Sequence, residues 1–340
     1  MKRACKILTS NNMRISSCEF PARQCQSDGH TTIKKTNYSR MKTFLPFFAL
    51  LLVLMIGCDQ DEIGPIRKGE GISMKIGKQV VLTSDEIDYY DLSTHFIYLK
   101  GTDSFLKDKM VRDSFQIYAA GEKIYSGVFH SSYMSSIPAA PAIYLPPTFY
   151  GDYIVPITLM FYTDLEGKKH PSVDPRNDPR ILQALKLRGQ LHEGLKCVIR
   201  SVQIIAGSSK VSVELELTNN DSFDYYHLDP DKMGMGLFHY FTNGLSLWNS
   251  SQMKRYENHV QHIQPQPWDS WDMSWLSLIR SGQKKTIWIH YTNFDPVPKG
   301  QYKLQFSFPG LGHVEKSQLV QQKGRIWLGD LDLSQDFQVR

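Results

Sequence analysis

Residues 211–218, VSVELELT, alternate without a break: Val211, Val213, Leu215 and Leu217 on one side, Ser212, Glu214, Glu216 and Thr218 on the other. Side chains of an extended strand point to opposite faces with a period of two, so the stretch predicts a strand with one face in a core and one in water. The same signal recurs around it. Tyr302, Leu304, Phe306 and Phe308 follow a turn at Pro298-Lys299-Gly300, and Ile287, Ile289 and Tyr291 form another apolar face. Tyr153, Val155, Ile157, Leu159 and Phe161 predict one long strand over 153–161, and HFIYLK (95–100) is β-branched and aromatic. Phe115–Tyr118 and Ile124–Tyr125 flank a tight turn at 119–123, as a hairpin requires. LFHYF (237–241) reads as a strand turned by Asn243-Gly244 into Leu245–Trp248, and 326–333 offers a last strand. Many short strands with regular turns and few helices predict a mainly β chain built as sandwiches.

The segment 168–180 (KKHPSVDPRNDPR) carries Pro171, Pro175 and Pro179 and few apolar groups, so it predicts a domain boundary. The expected organisation is a first β-sandwich over 78–170, a linker with a short helix over 171–194, and a second β-sandwich over 195–340. Ile137–Pro147 holds four prolines and predicts a loop or a sheet edge. Asp88-Tyr89-Tyr90-Asp91-Leu92 is echoed by Asp224-Tyr225-Tyr226-His227-Leu228. Duplication of one sandwich would produce this, and so would chance in a tyrosine-rich chain. In its pattern of strands the body resembles the immunoglobulin-like sandwiches of bacterial surface proteins, without a specific motif. The expected fold is therefore two immunoglobulin-like β-sandwich domains after a lipoprotein signal peptide.

That signal is read at 41–62, MKTFLPFFALLLVLMIGCDQDE. Its apolar run, Phe44 to Ile56, is about 13 residues, too short to span a bilayer and suited to the apolar part of an export signal. Met55-Ile56-Gly57-Cys58 resembles the bacterial lipobox, with Met55 where leucine is usual. The resemblance implies a signal peptide over 41–57, cleavage before Cys58, and acyl (palmitate-type) chains on the Cys58 thiol and the new amino terminus. Several acyl chains hold a protein to a membrane where one does not. Asp59, Gln60, Asp61 and Glu62 resemble the acidic tether of surface lipoproteins of the Bacteroidota type, which implies an outer-membrane, cell-surface location and a flexible tether over 58–77. Residues 1–40 are expected to be an upstream extension ahead of the true start at Met41.

Removing the first 57 residues changes the charge and the cysteine count. Residues 1–40 carry eight Lys/Arg against two Asp/Glu, and Lys42 adds one more positive charge, so the formal +5 leaves −2 on residues 58–340. The basic balance needed for a nucleic-acid partner is absent from the body. With Cys58 lipidated, Cys197 is the one cysteine left, so no intramolecular disulfide is expected.

One amphipathic helix is predicted, over Pro267–Gly282. Trp268, Trp271, Trp275, Leu276 and Ile279 share a helical face, Pro267 suits the first turn, Asp269 and Asp272 suit the positive end, and Gly282 the stop. Its tryptophans have two readings. They pack the helix onto a sandwich, or they form an aromatic platform for a sugar ring, whose C–H faces stack on indoles while its hydroxyls meet Asp or Asn groups.

Catalytic and cofactor signals are sparse. The chain has no GxSxG, HExxH, phosphate-binding glycine loop or cysteine pair for zinc, so no cofactor and no metal are expected. His259 and His262 lack an evident third ligand. Asp174, Asn177 and Asp178 sit in the proline linker, Asp229 and Asp231 flank Pro230 as a turn signal, and Cys197 lies in a strand-like run. Carboxylates abound, but the spacing that defines a hydrolytic pair is three-dimensional. The expected function is a non-enzymatic binding or accessory module, with a glycan or an outer-membrane protein as partner. The alternatives are a carboxylate-dependent hydrolase of a surface polymer and a structural component of a surface assembly.

Overall fold

The computed structural model describes residues 71–103, 106, 113–146, 149–163 and 169–340, and these are mainly β. The signal stretch, Cys58 and residues 1–40 lie outside the described residues. The chain begins with β1 (Ile72–Ile76), β2 (Gln79–Thr83), β3 (Ile87–Asp91), β4 (Phe96–Leu99), β5 (Ser114–Ala119) and β6 (Glu122–Ser131). Next come β7 (Ala142–Leu145), β8 (Ile154–Pro156), β9 (Tyr162–Thr163) and β10 (Lys169–His170). Helix α1 (Pro179–Leu187) leads to β11 (Leu191–His192), β12 (Leu195–Ile204), β13 (Val211–Asn219) and β14 (Tyr225–Leu228). Two single-turn helices, α2 (Pro230–Met233) and α3 (Met235–Phe238), precede β15 (Leu245–Asn249), β16 (Lys254–Glu257), β17 (Leu276–Ile279) and β18 (Lys284–Tyr291). The chain ends with β19 (Gly300–Pro309), α4 (Lys316–Leu319), β20 (Val320–Gln321), β21 (Gly324–Ile326) and β22 (Asp330–Val339).

The first hydrophobic core lies between the sheet β2-β1-β5-β6-β7 and the sheet β11-β3-β4-β8. Met74, Phe115, Ile117 and Phe129 come from one side, Ile87, Tyr90, Ile97 and Val155 from the other, and α1 adds Ile181, Ala184 and Leu185. The β5–β6 hairpin turns at Ala120 and Gly121, both at positive φ, the geometry that matches the twist of the flanking strands. β7, from the proline-rich segment, lies at the edge of its sheet as expected.

The second core is built from the sheets β12-β13-β18, β17-β14-β21-β20 and β16-β15-β19-β22. β13 buries every second residue, Val211 to Asn219, and β18 and β19 bury Ile287, Ile289, Tyr302, Leu304 and Phe306 in the same rhythm. The second core also takes in Tyr89, Phe96, Tyr98, Tyr153 and Ile154 from β3, β4 and the β8 region. The sheet β11-β3-β4-β8 is thus buried on both faces, which explains why HFIYLK does not alternate.

A polar cluster sits where this sheet meets β14. His192 Nδ1 lies 2.7 Å from Asp221 Oδ1, while Tyr225 Oη and the Gly194 N–H donate to Asp221 Oδ2 at 2.9 and 3.0 Å. Burial alone would raise the Asp221 pKa; the bonds from His192 and Gly194 hold it down at about 2. Asp91 is buried nearby, and burial pushes its pKa up to about 6 against the hydrogen bonds from Ser93. Its Oδ1 accepts from Ser93, and its Oδ2 is buried without a hydrogen-bond partner among the described residues. His192 stacks on Phe223 at 3.7 Å, and the Arg325 guanidinium lies over Phe223 and Tyr89 at 4.0 and 4.7 Å.

Four expectations are corrected. No helix spans 267–282. Instead a 3-10 turn at Met273–Trp275 leads directly into β17, which pairs with β14. Local polar groups took the backbone out of the helix: Ser270 Oγ donates to the Pro267 carbonyl at 2.7 Å, and Asp272 Oδ1 accepts from the Ser274 N–H at 2.8 Å. LFHYF is not a strand; Leu237 and Phe238 belong to α3, started at Gly234 with its φ of 72°. The long strand over 153–161 shortens to β8; beyond it the Ile157 N–H still reaches the His95 carbonyl at 3.3 Å, and an isolated bridge joins Thr158 to Ala142. The first sheet begins inside the stretch 58–77 expected as a tether, since β1 lies there and buries Ile72 and Met74.

Candidate functional site

The segment from Asn258 to Asp272 has no regular structure, yet its backbone is held at several points. The Ile263 N–H donates to the Gly236 carbonyl at 2.9 Å, Asn258 Nδ2 donates to the Asn243 carbonyl at 2.8 Å, and Tyr240 Oη donates to the Trp268 carbonyl at 3.0 Å. Gly236 permits the first of these, since a Cβ there would meet Ile263 at 2.7 Å. The end of the segment, Trp268 to Asp272, forms one wall of a cleft. Residues 310–315 form the other, fixed by the Gly310 N–H on the Gly329 carbonyl at 2.6 Å and by Tyr153 Oη on the Val314 carbonyl at 2.8 Å. A Cβ at Gly312 would lie 2.7 Å from the Phe149 carbonyl oxygen, so a side chain there would push the 149–151 loop away from this wall.

Two adjoining hollows make up the cleft, sharing Asp269, Ser270 and His313. The larger, about 580 Å³, adds Trp271, Asp272 and Glu315. The smaller, about 410 Å³, adds Trp268, Phe149, Tyr150, Tyr240, Phe241 and Asp330. Trp268 is 53% exposed and Phe149 66%, so both present large apolar faces to solvent at the cleft. Trp268 meets His313 edge to face, with centroids 5.1 Å apart. His313 Nε2 is buried and has no hydrogen-bond partner among the described residues.

Charge in the cleft is one-sided. Asp269, Asp272, Glu315 and Asp330 line it, and no Lys or Arg does among the described residues. The Ser274 N–H holds the Asp272 carboxyl below its ordinary value. Asp330 keeps contact with water but is crowded by protein on its other sides, and that desolvation, with Asp332 nearby, pushes its pKa up to about 6.

The cleft therefore unites Trp268 and Trp271 of the three sequence-predicted tryptophans. Trp271 is half-buried against the second core. Trp275 turns instead to Phe241, at 6.3 Å between centroids, and does not line the hollows. Phe149, Tyr150, Tyr240, His313 and Asp330 were not legible as partners, because they come from loops distant in sequence.

The other candidates have structural duties. His259 Nε2 lies 2.8 Å from Asp295 Oδ1, and His262 is exposed; no cluster of three or more metal-ligating side chains occurs among the described residues. Asp174 is paired with the buried Arg176 at 2.7 Å, and Arg176 donates to the Ile157 carbonyl, which ties the proline-rich linker to the first core. Asn177 lies in the 3-10 turn that follows Asp174, and Asp178 caps α1 and pairs with Arg180. Asp229 accepts from Lys285 Nζ at 2.7 Å, from Ser277 Oγ, and from the Asp231 N–H at 3.0 Å. Cys197 is a free, buried thiol pushed up to about 12 by burial, so it stays protonated and inert. No protein-family model matches this chain, and no curated protein matches it in sequence.

Proposed function

We propose that the protein is a non-enzymatic binding module, anchored through acyl chains on Cys58 at the outer-membrane surface, that holds a saccharide in the cleft at Trp268 and Trp271. Its β-rich body is read as two immunoglobulin-like sandwiches that present this cleft. The carrying observation is the half-exposed Trp268 beside His313, in a cleft whose other polar groups include the carboxylates of Asp269 and Asp330 and the Ser270 hydroxyl. A pyranose ring has one apolar C–H face and a rim of hydroxyls, and this combination of indole face and acceptors suits both. A titration of tryptophan fluorescence on the detergent-solubilised protein tests it against a panel of oligosaccharides. Saturable quenching is expected, with a loss of about tenfold or more in affinity for Trp268→Ala, since anchor aromatics carry about 2 kcal/mol or more. An unchanged response in that variant would sink the reading.

A second reading rests on Asp330. It lines the smaller hollow together with Asp269, and a carboxylate hydrolase sets two such groups about one bond. Release of reducing ends from a bound polymer, abolished in Asp330→Asn, would favour it over simple binding.

A further inference from the structure

The geometry points to a ligand that carries positive charge: an amine-bearing saccharide rather than a neutral or acidic one. This rests on the saccharide reading of the cleft and deepens it. Four carboxylates, Asp269, Asp272, Glu315 and Asp330, face the two hollows, and no Lys or Arg side chain lines them among the described residues. The nearby basic groups are turned elsewhere. Lys316 donates its ammonium to the Leu99 and Lys100 carbonyls, and Lys232 to the Leu276 carbonyl. None of the four carboxylates is in an ion pair at 4 Å or less among the described residues, whereas Asp174, Asp178, Glu216 and Asp229 all are. Several carboxylates elsewhere in the body thus have a basic partner, and the four that line the cleft have none among the described residues.

The aromatic walls act in the same direction. Trp268, Tyr240 and Phe149 surround the smaller hollow, and a ring face attracts an ammonium group through its quadrupole. A uronate or sulfated sugar would bring a fifth negative charge into a confined space, where like charges cost more than in open water. A protonated amino sugar would bring the missing counter-charge and still offer an apolar ring face to Trp268.

The experiment compares three hexasaccharides with one β-1,4-linked gluco backbone: glucosamine, N-acetylglucosamine and glucuronic acid. Each is titrated calorimetrically into the solubilised full-length protein near pH 6.5 at low ionic strength. The expected order is glucosamine, then N-acetylglucosamine, then glucuronic acid, with successive gaps of about fivefold, the size that one or two partly screened charge pairs supply. The gaps should shrink at about 0.5 M salt, where screening is nearly complete over the cleft's width. Asp269→Asn and Asp330→Asn should each narrow the gap between the cationic and neutral sugars. Equal binding of all three, or tightest binding of glucuronic acid, overturns the charge inference while leaving the saccharide reading in place. Failure of all three to bind overturns both.

Discussion

Asp91 and Asp221 are buried carboxylates in one polar cluster, held in opposite directions. Asp221 is bonded by His192, Gly194, Tyr225, Ser222 and Phe223 and has a pKa of about 2; Asp91 has Ser93 on one oxygen, no partner on the other among the described residues, and a pKa of about 6. Because the folded-state value of Asp91 lies above that of an unfolded aspartate, its contribution to stability is complete below about pH 4 and lost as pH rises through about 6. Asp91→Asn keeps an acceptor for Ser93 and carries no charge. It should raise unfolding free energy at pH 8 by about 1–3 kcal/mol, with the gain vanishing below about pH 4, as read from urea denaturation at both pH values. Equal stability of variant and parent at pH 8 would refute this account of Asp91. Asp221 has the opposite sign: its contribution is present above the ordinary aspartate value and is lost as pH falls towards 2. Asp221→Asn should therefore cost about 1–3 kcal/mol at pH 7 and progressively less in acid.

At the scale of elements, β13 and β4 show what a sequence makes legible. In β13 the buried and water-facing residues alternate, and the strand was read residue by residue. In β4 all four residues are buried, Ile97 into the first core and Phe96 and Tyr98 into the second. Its composition marked a strand, but nothing local says that a second core waits on its other side. Neighbouring truncations should expose the difference. Ile97→Ala and Tyr98→Ala should each cost about 2–5 kcal/mol, whereas Val213→Ala should be costly and Glu214→Ala close to neutral, all by denaturant unfolding. A neutral Tyr98→Ala would contradict the two-sided burial of β4. The misread helix over 267–282 failed for a different reason. Its apolar spacing fitted a helical face, but Ser270, Asp272 and Ser274 satisfied their own backbone locally, and LSLI found a partner in β14. Of the cleft, Trp268 and Trp271 were legible as a candidate aromatic platform, though on a helix that does not form. Tyr240 was hidden inside an apparent strand, and His313 within a glycine-rich loop that carries no signal of its own.

For the whole molecule, the anchor and the cleft are separable claims. Cys58→Ser should abolish metabolic labelling with a fatty acid and release the protein from membranes, while leaving oligosaccharide binding intact; persistent labelling would remove the lipid anchor from the account. The sheet β11-β3-β4-β8 bears on how the chain can be taken apart. Val173, in the proline-rich linker, is 74% exposed and offers a protease a site. Yet β11, beyond that site, pairs in parallel with β3 before it, and the Tyr153 hydroxyl reaches the Val314 carbonyl across it. A single nick there should give two bands on a denaturing gel and one peak on a native column. The severed pieces would stay joined as complementing fragments, each supplying residues the other needs, and neither piece expressed by itself should fold.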